Sequence, residues 1–67
     1  MNELLALVFL ACTTVAGGER CERISIPWDR PAMACMLLGQ AEIARWFEEH
    51  PRYRLRGGWR CERDRDT

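Results

Sequence analysis

The sequence has no lysine and one histidine, and it lacks the short motifs that usually build an active site. It contains no glycine-rich phosphate loop and no closely spaced pair of cysteines. One histidine, without paired carboxylates in an apolar setting, offers little for acid–base or nucleophilic catalysis. These absences predict a protein that is not an enzyme and that binds no cofactor.

An apolar run long enough to span a bilayer is also missing. The run from Leu4 to Ala11 is far shorter than the roughly 20 residues that a spanning helix needs. Followed by small residues up to Ala16, it resembles a secretory signal peptide that is cleaved after that alanine. On this interpretation residues 1–16 form a signal-like helix and residues 17–67 form a single small domain. The last residues of that domain, 63–67, are expected to be a frayed tail.

Two alternatives remain for the N-terminus. Phe9 to Cys12 resembles a bacterial lipobox, which would place a lipid on Cys12. The apolar segment could instead stay uncleaved and pack on the domain as a helix. Contact with a membrane is expected only through such a lipid or helix.

Residues 31–50 are the longest segment in which apolar residues recur with a helical period, which predicts a helix there. The rest of the domain is expected to pack on this helix. Asp29 is a suitable N-cap, and Pro31 fits the first turn. Pro51 disfavours helical geometry in His50 and therefore ends the helix.

The predicted core-facing side of this helix is an arc of roughly 120 degrees. Its members are Met33, Met36, Leu37, Gln40, Ile43, Ala44 and Phe47. A second, narrower line contains Cys35, Gly39 and Trp46. The notch at Gly39 is expected to admit a neighbouring ring or backbone.

Two segments are β-prone, namely residues 21–26 and residues 52–62, in which apolar side chains alternate with arginines. Gly57 and Gly58 interrupt the second segment, either as part of a hairpin loop or as a bulge in one continuous strand. The predicted fold is an α+β miniprotein of β-α-β order, with the helix packed on a two- or three-stranded sheet. Disulfides are expected because, in so small a domain, the free energy gained by burying apolar surface barely exceeds the conformational entropy lost on folding.

The four cysteines leave several pairings open. A continuous final strand brings Cys61 towards Cys35, and a hairpin brings it towards Cys21 instead. Cys12 pairs with Cys21 if the N-terminus is retained, and otherwise an unpaired cysteine could join two chains. Zinc is not expected, since Cys21, Cys35, His50 and Cys61 lack the tight spacing of most zinc sites.

Four arginines of the last strand region form the arginine row, the most favourable partner surface in the sequence: Arg52, Arg54, Arg56 and Arg60. Such a row suits an acidic protein or an acidic envelope surface. Nucleic acid is not expected, because the neighbouring aromatic side chains point to the other face of the strand.

Spaced residues from Cys21 to Cys61 resemble a loose group of very short exported bacterial proteins of unknown function. The shared pattern is Cys-Met, Gly-Gln, Trp, His-Pro and Trp-x-Cys, here Cys35-Met36, Gly39-Gln40, Trp46, His50-Pro51 and Trp59-Arg60-Cys61. The resemblance implies export and supplies no active site.

Two functions follow from these observations. The first is a non-catalytic protein, exported to the periplasm or the exterior, that binds a partner in the cell envelope. The alternative is a cytoplasmic, phage-encoded regulator with reduced cysteines that binds nucleic acid or a protein.

Overall fold

The computed structural model describes residues 5–63 as three strands and one helix. In chain order these are β1 (Leu5–Val15), β2 (Gly18–Trp28), α1 (Ala32–Glu49) and β3 (Tyr53–Arg63). The strands form one antiparallel sheet in the order β2-β1-β3, and α1 packs on β1 and β3 at one face. Residues 1–4 and 64–67, including most of the predicted frayed tail, lie outside the described residues.

The predicted β-α-β order behind an N-terminal helix is wrong, because the chain folds as β-β-α-β. The segment predicted as a signal-like helix contains β1, the central strand of the sheet. The two predicted strands correspond to β2 and β3. They run parallel to each other, since both pair antiparallel with β1, but β1 separates them.

The central strand explains why its sequence resembles a signal peptide. Leu7, Phe9 and Ala11 are buried beneath α1, while Ala6 and Val8 are buried on the opposite face of the sheet. A strand that is buried on both faces needs a continuous apolar run, and such a run is also the mark of a leader. Cleavage after Ala16 would remove this strand and with it the centre of the core.

β1 and β2 form a hairpin with a two-residue loop at Ala16 and Gly17. Gly17 has a φ of 89°, a left-handed conformation that favours glycine. Val15 and Gly18 are the last paired residues on either side of the loop. The glycines therefore turn the chain back along β1 rather than leading into a separate domain.

The observed helix lies within the predicted 31–50 range, but its start differs in detail. Pro31 occupies the N-cap position without a side-chain hydrogen bond, so Asp29 is not the cap. Trp28 is buried, and its Nε1 donates a hydrogen bond of 3.3 Å to the Pro31 carbonyl oxygen. The indole ring thus fixes the path of the chain into α1.

The predicted core-facing arc of the helix is wrong for most of its members, since only Ile43 is buried and Phe47 packs partly buried against the core. The buried helix residues are Cys35, Gly39 and Ile43, so the side that faces the sheet is centred on the narrower line, not on the arc. The chain packs this way because the facing sheet residues are large: a Cβ on Gly39 would lie 2.7 Å from the Trp59 ring. The notch at Gly39 therefore admits a ring.

β3 is one continuous strand with a bulge, not a hairpin. Trp59 pairs with Phe9, whereas the next ladder position pairs Arg56 with Leu10, which leaves Gly57 and Gly58 as extra residues. Gly57 accommodates the bulge with a φ of 75°. Two extra residues preserve the alternation of faces along the strand.

Candidate interaction surfaces

All four cysteines are bridged, Cys12 to Cys21 and Cys35 to Cys61. The first bridge joins directly opposite residues of β1 and β2. The second joins the start of α1 to the end of β3, as expected for a continuous final strand. Because every cysteine sulfur is used, neither a lipid on Cys12 nor a dimer through an unpaired cysteine is compatible with these bridges.

Two disulfide bonds indicate an oxidising, non-cytoplasmic environment, because disulfides form and persist in such compartments. The one helix among the described residues is not long and apolar enough to cross a bilayer. The two routes that the sequence predicted for membrane contact are not found between residues 5 and 63, because Leu5–Val15 is a strand and not a helix, and Cys12 is bonded to Cys21.

The structure does not bring together Cys21, Cys35, His50 and Cys61, the four residues considered above for zinc. Cys21 and Cys61 lie opposite Cys12 and Leu7 of β1, and these register positions are about 17 Å apart along the strand. The structure does place Cys12, Glu19 and Cys21 with their ligand atoms within 4.8 Å of one another. Both of those sulfurs are in the disulfide bond, which leaves one carboxylate as a donor.

The single histidine lies in an aromatic cluster at the end of α1. His50 stacks on Trp46 with a centroid distance of 3.9 Å, and its Nδ1 lies 2.8 Å from the Trp46 carbonyl oxygen. Tyr53 meets both rings edge-on. These contacts give His50 a structural position that closes the helix end over the sheet.

The arginine row lies on the face of the sheet that α1 leaves open. Register places Arg54, Arg56 and Arg60 opposite Cys12, Leu10 and Val8 of β1, and residues that pair across strands point to the same face. Arg52 precedes β3 and is exposed.

Acidic residues on the same face reduce the charge of this row. Arg56 forms an ion pair of 2.9 Å with Glu19, and Arg60 forms one of 2.6 Å with Glu62. Within residues 5–63, Arg52 and Arg54 are the two members of the row that make no ion pair. The predicted partner surface is therefore half neutralised by the protein itself.

Charged side chains also cover the central strand on the open face. Glu62 accepts from Arg60 and, at 2.7 Å, from Arg23 on the other edge strand. The three side chains bridge across β1 and leave Val8 only 6% exposed. Their aliphatic stems shield the strand while the charged ends stay in water. This face consequently presents charge over a covered apolar strip.

The opposite side of the molecule presents an apolar surface that no residue between positions 5 and 63 covers. Met33, Met36 and Leu37 of α1 are 72%, 70% and 74% exposed. Ala41 and Ala44 continue the strip along the helix and are exposed as well. These five residues are named the outer helix face.

The apolar surface widens at the start of the helix. A pocket of about 410 Å³ lies beside Met36, where α1 meets the end of β3. It is lined also by Leu5, Ala32, Trp59 and Cys61 and by one charged residue, Arg60. Leu38 adds a partly exposed side chain on the other shoulder. Large contiguous apolar patches of this kind are uncommon on monomeric proteins and mark interaction sites.

Sequence reasoning placed most of the outer helix face in the core. The signal that could have corrected it was the apolar character of the whole segment Ala32–Gly39, which gives no polar side to turn outward. In such a segment the small residues, here Cys35 and Gly39, mark the side of closest packing. The large residues are then left for the opposite side.

Compared with protein-family models, curated proteins and solved structures, the chain matches none. The resemblance to short exported proteins therefore stays a prediction. The interaction surfaces described above are the observations on which a function can be based.

Proposed function

We propose that this chain is a non-catalytic, exported protein that works in an oxidising compartment by binding a protein partner through the outer helix face. The exposure of Met33, Met36 and Leu37 carries the proposal. Burying apolar surface contributes about 25 cal/mol per Å², so covering these three side chains would favour association.

The covalent framework supports the compartment and the mode of action. The two bridges connect β1 to β2 and α1 to β3, so every element is tied to a neighbour. A rigid scaffold of this kind presents the outer helix face with little loss of conformational entropy on binding. Reduced cysteines, as in the cytoplasmic alternative, would leave the small core without these ties.

The arginine row is a weaker basis for a partner surface. Because Arg56 and Arg60 pair with Glu19 and Glu62, an acidic partner that used the whole row would have to displace two ion pairs that the protein already makes. Exposed pairs of this kind contribute little to stability, so displacement is not costly, but the gain is also small. The row is therefore proposed to influence the rate of encounter more than the affinity.

Site-specific photo-crosslinking in the producing cell tests the proposal. A photoreactive phenylalanine analogue at position 37 should give a crosslinked product, because that position lies on the outer helix face. The same analogue at Ser25, an exposed position of β2, serves as the matched control and should give little product. Equal crosslinking at both positions, or none at position 37, would exclude the outer helix face as the binding surface.

A further inference from the structure

The first half of α1 is apolar on nearly every side. From Ala32 to Gly39 the helix has no charged or amide side chain. A helix that is apolar all round is normally buried all round. The sheet covers only the side of Cys35 and Gly39, so the outer helix face needs a further cover.

The sheet edges compete poorly with this face as a docking surface. β2 and β3 are both edge strands of 11 residues. The β3 edge is interrupted by the glycine bulge and carries arginines, and the β2 edge carries charged residues and Pro27. Bulges, charges and proline are the features that prevent strand-to-strand association.

A membrane surface is also a poor cover for the outer helix face. A helix that lies on a membrane carries several lysines or arginines on its polar side. The described helix has one arginine, Arg45, and three glutamates, Glu42, Glu48 and Glu49. The arginine row lies on the opposite side of the sheet and would face away from the lipid.

The shape of the outer helix face suits a second identical face. Met33 and Leu37 are large, and Ala41 and Ala44 are small, at helical spacings that align them in one strip. In an antiparallel pair with its axis near Gln40, Leu37 of each chain would lie against Ala41 and Ala44 of the other. Large side chains then fill the space left by small ones, as in ridges-into-grooves packing.

The charges of the helix point to the same arrangement. α1 has no acidic residue in its first turn and no basic residue in its last, while Glu48 and Glu49 lie at its C-terminal end. Acidic residues there oppose the negative end of the helix dipole. An antiparallel second helix would bring its positive N-terminal end beside these two glutamates. Arg30 does not contribute to this contact, because its guanidinium pairs with Glu42 at 3.9 Å and stacks on Trp28 within the same chain.

We propose that the outer helix face is covered by a second copy of this chain, with the two α1 helices packed antiparallel about a twofold axis near Gln40. The proposal rests on the proposed function of this face and names its partner. One helix strip per chain is a small interface, so the expected dissociation constant is about 1–100 µM. The sheet faces that carry the arginine row would then point away from each other.

Sedimentation equilibrium of the oxidised protein up to about 500 µM tests the proposal, since that range covers the expected dissociation constant. The wild-type chain should dimerise. Leu37→Glu should weaken dimerisation by roughly 30-fold or more, because it places a charge at the centre of the interface. At a concentration low enough for both proteins to be monomeric, thermal unfolding of this variant should remain close to wild type, since Leu37 makes no core contact in the monomer.

A pair of opposite charges placed on the outer helix face distinguishes the antiparallel arrangement from other dimers. Leu37→Glu and Ala41→Arg should each self-associate more weakly than wild type, the second by roughly 5-fold or more. An equimolar mixture of the two variants should regain affinity relative to either variant alone, because each glutamate at position 37 then faces an arginine at position 41. Structural damage by either substitution would not be repaired by mixing.

Three outcomes would overturn the inference: a monomer at 500 µM, a dimer indifferent to Leu37→Glu, or a mixture that does not regain affinity. A monomer whose position 37 still crosslinks in cells to a different protein would leave the proposed function standing without the self-association. A monomer that crosslinks to nothing at position 37 would remove both.

Discussion

At the scale of single residues, Gly39 determines how closely α1 approaches the sheet. A Cβ at this position would lie 2.7 Å from the Trp59 ring and 3.0 Å from Leu7 Cδ1. Leu7 is fully buried and has little room to move, whereas Trp59 is only partly buried and lies beside a pocket. To admit a methyl group, either the Trp59 ring would have to shift from its packed position or the helix and β3 would have to separate.

We therefore expect Gly39→Ala to lower the free energy of unfolding by about 1–3 kcal/mol, despite the higher helix propensity of alanine. Gly58→Ala is the matched control, because a Cβ at Gly58 would meet nothing within 4 Å. Urea denaturation of both variants provides the measurement. A stabilised Gly39→Ala variant would show that Trp59 does not pack on the helix.

The two faces of α1 provide a second comparison at this scale. Ile43→Ala should cost about 2–5 kcal/mol because Ile43 is buried in the core, whereas Leu37→Ala should cost less than about 1 kcal/mol. Denaturant midpoints are to be measured at low micromolar concentration, so that self-association does not contribute. A large loss in both variants would restore the core-facing arc that the sequence predicts, because that arc contains both residues, and a larger loss for Leu37→Ala than for Ile43→Ala would contradict the observed packing.

At the scale of elements, the two disulfides differ in what they connect. Cys12 and Cys21 are 9 residues apart and close a hairpin that backbone hydrogen bonds already hold. Cys35 and Cys61 are 26 residues apart and attach α1 to β3, the two elements on either side of the His50–Arg52 connection. The second bridge therefore limits the unfolded chain more strongly.

The chain-entropy model gives about 2.5 kcal/mol for the shorter loop and about 3.5 kcal/mol for the longer one. Replacing Cys35 and Cys61 by alanine should accordingly destabilise the protein more than replacing Cys12 and Cys21. The second double variant is the control for the general effect of losing a bridge. Thermal melts in which the Cys12–Cys21 pair proves the more important would contradict this account of the elements.

Some of the elements could be predicted from the sequence and others could not. The helix bounds, the alternating faces of β3 and the bulge at Gly57, as one of the alternatives, were predictable, because each depends on local periodicity or on glycine and proline. The strand β1 was not, since an apolar run buried on both faces has no period that separates it from a leader. The inward face of α1 was missed because hydrophobicity alone does not rank Gly39 above Leu37.

At the scale of the whole molecule, the fold depends on the segment that resembles a signal peptide. β2 and β3 do not pair with each other, and both pair with β1. A chain that began at Gly17 would lose every strand pairing and the partner of Cys21. The fold therefore requires both that β1 is retained and that the cysteines are oxidised, because Cys12 of β1 is bonded to Cys21.

Non-reducing peptide mapping of the protein from its producing cell tests that claim most directly, after free thiols have been blocked with an alkylating reagent. A protease that cleaves after glutamate is required, since trypsin would release Cys21 and Cys61 in identical Cys-Glu-Arg peptides. We expect residues 4–19 to be joined to residues 20–22, and residues 23–42 to residues 50–62. A chain that begins at Gly17, or one whose cysteines are alkylated, would contradict it.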